Sequence, residues 1–268
     1  MTHDFVTSAE AARILGVGPT SIKRWSDTGL LPCVRTPGHH RRFVRQEVER
    51  FLAERGGSVG PDPDQINAWI GLLGTNSGSY DVHSALMRER SRQGSWWQVA
   101  EVLAKVMSEL GRRWQAGEIT VLQEHAASEQ LARGLARACE AMPTANGSDR
   151  CLLATAEGDD HTLPLSLCEL CLRESGWTPI WAGRASPSSE ILAMIQKREV
   201  RMVALSASTA ATDSLKLRAQ AEATALACRA NGVTLVLGGE GAWPEVDGVG
   251  LRLRNFREFH GTLDELSA

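Results

Sequence analysis

Two stretches rich in Gly, Pro and small polar residues break the periodic patterning of this chain, and they constrain its fold more than any other feature. Gly56-Gly57-Ser58-Val59-Gly60-Pro61-Asp62-Pro63 stacks residues that cannot form a helix interior. Pro143-Thr144-Ala145-Asn146-Gly147-Ser148-Asp149 repeats that chemistry. They divide the 268 residues into three expected domains, 1–55, 64–142 and 150–268.

Charge follows the same division. Residues 1–55 carry nine Lys/Arg against six Asp/Glu, and the remainder 20 basic against 26 acidic, so a net −3 hides a head of +3. Arg35 to Arg45 holds four Arg, two His and no acid. Charge alone favours a solvated surface for this head, with a polyanion partner as the alternative. A hydrophobic fraction of 43% excludes disorder. No apolar run approaches the roughly 20 residues of a membrane span, and the start, MTHDFVTSAE, has no signal-peptide core. Six scattered Cys form no disulfide framework. The expectation is a cytoplasmic, reduced protein without a membrane partner.

In the first segment Thr7-Ser8-Ala9-Glu10 is a capping box that opens a helix through Leu15. Gly16-Val17-Gly18 turns, Pro19 begins a second helix through about Thr28, and Gly29 caps it. Ala11, Ala12, Leu15, Ile22 and Trp25 supply the core. Thr20, Ser21, Lys23 and Arg24 stay polar, where a recognition helix presents its side chains. A strand near Val34, a turn at Pro37-Gly38, the strand His40–Phe43 and a helix from Arg45 to Glu54 follow. This pattern, above all Thr36-Pro37-Gly38-His39-His40-Arg41-Arg42-Phe43, resembles the winged helix-turn-helix of the MerR and excisionase regulators. The resemblance implies double-stranded operator DNA as partner, read by the helix and gripped by His39, His40, Arg41 and Arg42 of the wing.

Residues 64–142 predict a four-helix bundle, with helices near 64–73, 80–93, 95–116 and 120–142. Trp96, Val99, Leu103, Val106, Leu110 and Trp114 recur as one buried stripe. Val121, His125, Ser128 and Ala132 share a helical face, which predicts that His125 points where core residues point, beside Glu124. Trp114, nine residues, then Glu124-His125 resembles the capping motif of light-sensing cobalamin regulators of the CarH/LitR type. In that family these three residues close over the upper face of the corrin.

Residues 150–268 alternate short apolar runs with amphipathic stretches, the mark of a doubly wound parallel (Rossmann-like) sheet. Strands are predicted at Cys151–Thr155, Thr178–Trp181, Met202–Ser206, Thr234–Leu237 and Gly250–Leu253, with helices over Leu163–Ser175, Ser188–Arg198 and Ser214–Ala230. Ligands bind outside the carboxyl ends of such strands. Cys168 and Cys171, inside a helix, read as packing residues. No Walker motif and no four-ligand zinc spacing is present.

On that rim Asp159 stands two residues before His161, an imidazole ligand with an orienting carboxylate. Together with Ser206-Ala207-Ser208 and Gly238-Gly239, it resembles the base-off/His-on cobalamin-binding pattern. The resemblance implies that His161 is the lower axial ligand of cobalt and Asp159 its partner. It also implies that Ser206 and Ser208 contact the nucleotide tail, whose channel Gly238 and Gly239 line. Two positions depart: the motif Gly is Pro164, and Gln115 replaces the His that follows the Trp and cannot act as an imidazole.

The expected fold is therefore multi-domain, α and α/β: winged helix, four-helix bundle, cobalamin-binding-type sheet domain. The expected function is a DNA-binding transcription regulator, repressor or activator, not an enzyme, that senses adenosylcobalamin and through it light. It would assemble as a ligand-dependent dimer or tetramer. A regulator of the same fold using another tetrapyrrole, or none, and a corrinoid methyl-carrier are the alternatives.

Overall fold

The computed structural model describes residues 4–15, 19–27, 29–36, 38, 40–54, 62–74, 78–143, 149–244 and 250–267, with the backbone alone at 19–21, 24 and 52–54. The expected Gly16-Val17-Gly18 turn, Pro37, His39, and the linker residues Gly56–Pro61 and Thr144–Ser148 lie outside that set.

The head runs β1 (Phe5–Thr7), α1 (Ser8–Leu15), α2 (Pro19–Asp27), β2 (Val34–Arg35), β3 (Arg41–Val44) and α3 (Arg45–Glu54). The capping box forms reciprocally: Glu10 N donates to Thr7 Oγ1 at 3.2 Å and Thr7 N to Glu10 Oε2 at 2.7 Å. The three strands pair antiparallel in the order β1-β3-β2. Ala11, Ala12, Leu15, Ile22 and Trp25 are buried with Val6, Leu31, Phe43, Val48 and Phe51. Strand β1 is absent from the sequence expectation; three residues before a helix carry no alternation to read.

The bundle comprises α4 (Pro63–Gly74), α5 (Ser79–Gln93), α6 (Trp96–Gln115) and α7 (Val121–Glu140). Helix α7 starts at a second capping box, with Gln123 N on Thr120 Oγ1 and Thr120 N on Gln123 Oε1. Two expectations fail at the joined ends of α6 and α7. Trp114 is not core but 47% exposed. The His125 side chain is 71% exposed. The buried stripe of α7 is Ala127, Leu131, Gly134, Leu135 and Ala138, turned by about 100° from the face that holds His125. Both ends run past the core into solvent, where Arg112 pairs with Glu109 and Glu118, and Arg113 with Glu109.

The last part runs β4 (Arg150–Thr155), α8 (Leu163–Glu174), β5 (Thr178–Gly183), α9 (Ser188–Gln196), β6 (Met202–Ser206), α10 (Ser214–Asn231), β7 (Thr234–Gly238), β8 (Leu251–Arg252) and α11 (Phe256–Ser267). Its five strands are parallel in the order β5-β4-β6-β7-β8. Helix α11, unpredicted, buries Phe259 and Leu263. Alternation sends Leu152, Ala154, Val203 and Leu205 to one face, packed with residues of α9 and α10. Cys151, Leu153, Met202, Ala204 and Val236 face the other way and join α8, α11 and the bundle in one continuous cluster.

Polar latches reinforce that junction. Glu174 of α8 accepts Arg90 Nη2 at 2.6 Å and the Trp96 amide at 2.7 Å. Glu101 of α6 accepts the amides of Phe256 and Arg257 at 2.6 and 3.1 Å, capping α11. The start of α6 thus sits at the end of α8. Cys139, late in α7, also meets α8: burial first and then the Glu169 carboxylate push its thiol up to about 12. Trp114, Glu124 and His125 lie at the opposite end of the α6–α7 pair. Among the described residues no helix is long and apolar enough to cross a membrane.

Candidate functional site

At the carboxyl rim of the sheet, Gly158 (φ 86°) turns the chain after β4, and Asp159 N closes the turn on Ala156 O at 2.9 Å. His161 follows, just before α8, which begins with Thr162 as N-cap and tolerates Pro164 in its first turn. The Asp159 side chain is 1% exposed and that of His161 61%. His161 Nδ1 lies 2.7 Å from Asp159 Oδ1.

Ser208, beyond the end of β6, completes the group. Its amide donates to Asp159 Oδ2 at 2.5 Å, and its Oγ lies 3.1 Å from both Asp159 Oδ1 and His161 Nδ1. Parallel pairing of Thr155 with Ser206 brings these two loops together across 49 residues of chain. Burial opposes ionisation of Asp159. The amides of Ser208 and His161, with both their side chains, outweigh it and hold the carboxyl below its ordinary range. An ionised carboxylate on Nδ1 fixes the imidazole tautomer and leaves Nε2 as a lone-pair donor. Among the described residues no group of three His, Cys, Asp or Glu could hold a metal ion.

Beside this triad, Thr155, Ser206 and Gly238 form one register row across β4, β6 and β7. Alternation puts all three on the face shared with Leu153, Ala204 and Val236. A Cβ at Gly238 would meet only Leu205 O, at 3.9 Å, so the row is open there. Gly239 differs: at φ +80° its Cβ would lie 2.2 Å from Ala207 O, so its missing side chain serves loop packing. Thr155 of that row is fully buried, and its hydroxyl accepts the Ala185 amide at 2.9 Å. Ser208, expected on a nucleotide tail, is bonded to the Asp159–His161 pair.

Glu124 and His125 are neighbours, with His125 Nε2 3.7 Å from Glu124 Oε2 and Glu124 Oε1 accepting Ser128 Oγ at 2.6 Å. With Trp114, Val121 and Leu122 they make an exposed, partly apolar end of the bundle. An open depression of about 440 Å³ lined by Ser79, Arg133, Arg137 and Glu140 lies toward the other end of α7.

In the head, Lys23 and His40 are exposed and Arg41 and Arg42 partly so. Thr20, Ser21 and Arg24 lie on α2 with side chains outside the described set, as does all of His39.

Residues 5–56 match the family described as a helix-turn-helix domain, and residues 98–138 match the one described as a B12 binding domain. The chain joins a helix-turn-helix domain to a B12-binding architecture. The second match spans most of α6 and α7 and includes Trp114, Glu124 and His125. The monomethylamine corrinoid protein of Methanosarcina barkeri is similar at a TM-score of 0.54 and 15% identity, over 77% of this chain and 100% of that one. That likeness is one of fold. Lower scores join the chain to a methanol:cobalamin methyltransferase complex from the same organism (0.38; 18% identity; 92% of this chain, 91% of that one) and a cobalamin-binding protein of Desulfitobacterium hafniense DCB-2 (0.37; 17%; 75% and 97%). No curated protein sequence matches the chain.

The donor set of this B12-binding architecture fits a corrinoid: one imidazole nitrogen, oriented from behind by a buried carboxylate, beside an open row at Gly238.

Proposed function

We propose that this chain is a MerR-like transcription regulator that binds double-stranded operator DNA through its head. Its sensor takes up adenosylcobalamin, with light as the signal, in the manner of the CarH/LitR regulators. One observation carries the reading: His161 offers Nε2 while Nδ1 is held on buried Asp159, in a chain that also has a helix-turn-helix head. His161 would hold cobalt from below, and Asp159 and Ser208 would keep the imidazole aimed. Thr155, Ser206 and Gly238 would border the nucleotide tail. When bound, the cofactor supplies a light-labile cobalt–carbon bond and a visible spectrum. Trp114, Glu124 and His125, exposed at the bundle end, would cover its upper face and exclude water there. A ligand shifts assembly only through contacts that differ between states, and this exposed end is where we place them, in a ligand-dependent dimer or tetramer. Gln115 offers no imidazole, so the light product here lacks a second His from that position.

Adenosylcobalamin added in the dark should give a protein-bound spectrum, and illumination should change both the spectrum and the mobility of DNA complexes. No spectral shift in wild type, or a His161→Ala variant identical to it, overturns the cobalamin reading. Methyl transfer without DNA binding would instead favour a corrinoid carrier, which has no use for residues 5–56.

A further inference from the structure

The wing carries a charge arrangement that a DNA contact does not explain. Arg35 of β2 and Arg41 of β3 stand directly opposite each other in antiparallel register. Like charges in that position repel and loosen a two-stranded ribbon. Asp27, the last residue of α2, relieves the clash: its Oδ1 accepts Arg41 Nη2 at 2.6 Å and Arg35 Nη2 at 3.3 Å. Arg41 Nε also donates to Ser26 Oγ at 2.9 Å, and that hydroxyl lies 3.0 Å from Cys33 Sγ. Strand alternation explains the choice of arginine. Phe43 is fully buried, so Arg41, two residues earlier, shares the face turned toward the helices, and Arg42 takes the opposite face. The Arg41 side chain is accordingly only 19% exposed. Hydrogen bonding to Arg41 holds the Asp27 carboxyl below its ordinary range.

We infer that Asp27 and Arg41 form a clamp fixing the wing to the end of the recognition helix, so that Arg41 neutralises Asp27 and not a DNA phosphate. This rests on the DNA-binding reading and assigns the clamp a positioning role: it sets the spacing between helix and wing on which sequence selectivity depends.

Salt dependence separates the roles without knowledge of the operator. With the full chain and a random-sequence duplex of about 30 base pairs, each phosphate contact adds about 0.9 to the slope of log affinity against log salt. Arg42→Ala should lower that slope by about 0.9, and Arg41→Ala should leave it unchanged. On duplexes enriched from a random pool by the wild type, Arg41→Ala and Asp27→Ala should each reduce preference over random duplex by about tenfold. The double variant should be no worse than either single one, because both remove the same clamp. Asp27 is half exposed, so its replacement keeps a folded head should Arg41→Ala lose it. A slope lowered by about 0.9 in Arg41→Ala, or full selectivity in Asp27→Ala, overturns the clamp. Failure of the wild type to bind any duplex at low salt overturns the DNA-binding reading itself.

Discussion

Adjacent glycines at the end of β7 should respond oppositely to the same substitution. In Gly239→Ala the new Cβ would lie 2.2 Å from Ala207 O and 3.0 Å from Ala207 C, at φ +80°. Both obstacles are backbone, so no side chain can swing away. The left-handed conformation costs an L-residue about 1–2 kcal/mol. Forcing the β6–α10 and β7–β8 connections apart adds about 1–3 kcal/mol of overpacking strain. Movement there also threatens the Gly241 N to Ala207 O bond of 2.8 Å. The expected loss is about 2–5 kcal/mol, a large fraction of the stability of an ordinary domain. Gly238→Ala meets nothing nearer than 3.9 Å and should change stability by less than about 0.5 kcal/mol. Its methyl group would enter the Thr155–Ser206–Gly238 row and weaken adenosylcobalamin uptake. Urea unfolding measures the first effect and spectroscopic titration the second. An unchanged midpoint in Gly239→Ala would refute the packing argument; unaltered uptake by Gly238→Ala would refute the assignment of the row.

Asp159→Asn and Ser208→Ala should each weaken cobalamin uptake by about 10- to 100-fold, the usual cost of losing an orienting partner, measured by titration in the dark. The Asp159 carboxyl is lowered in the folded chain, so its stabilisation is complete above the ordinary value of 3.8 and is lost as pH falls through the lower folded value. Melting curves of wild type and Asp159→Asn should therefore keep a constant gap from about pH 7 to 5 and converge only in acid. Trp114→Ala, at an exposed position, should leave the melting temperature nearly unchanged while speeding cofactor loss, whereas Leu103→Ala should cost about 2–5 kcal/mol. Gly134→Ala places a Cβ 2.5 Å from Val82 Cγ1 at the α5–α7 contact and should cost about 1–3 kcal/mol in urea unfolding.

Much of this fold is legible in the chain because its signals are local. The Thr7–Glu10 box, the Trp96-to-Leu110 stripe and the apolar runs of β4, β6 and β7 each state their own secondary structure. The Asp159–His161 spacing is local too, and both residues meet as expected. Ser208 is different: only the parallel register of β4 and β6 shows that its hydroxyl reaches Asp159. His125 departs from its expected place because one residue's shift of phase moves a helical face by about 100°, and the first turn of α7 lies beyond the core that would have fixed the phase. The period of Phe256, Phe259 and Leu263 does announce α11, but Gly261 within it masks the signal.

The uninterrupted cluster that runs from Trp69 through Leu103 and Leu170 to Val236 makes bundle and sheet a single thermodynamic body. Cleavage between Met142 and Asp149 would leave two fragments with matching greasy wounds, neither fit to survive alone in water. Calorimetry of the whole chain should accordingly show one large cooperative transition for residues 62–267, with the head, whose core is its own, melting as a separate small event. A truncation that keeps this body whole belongs just before Pro63.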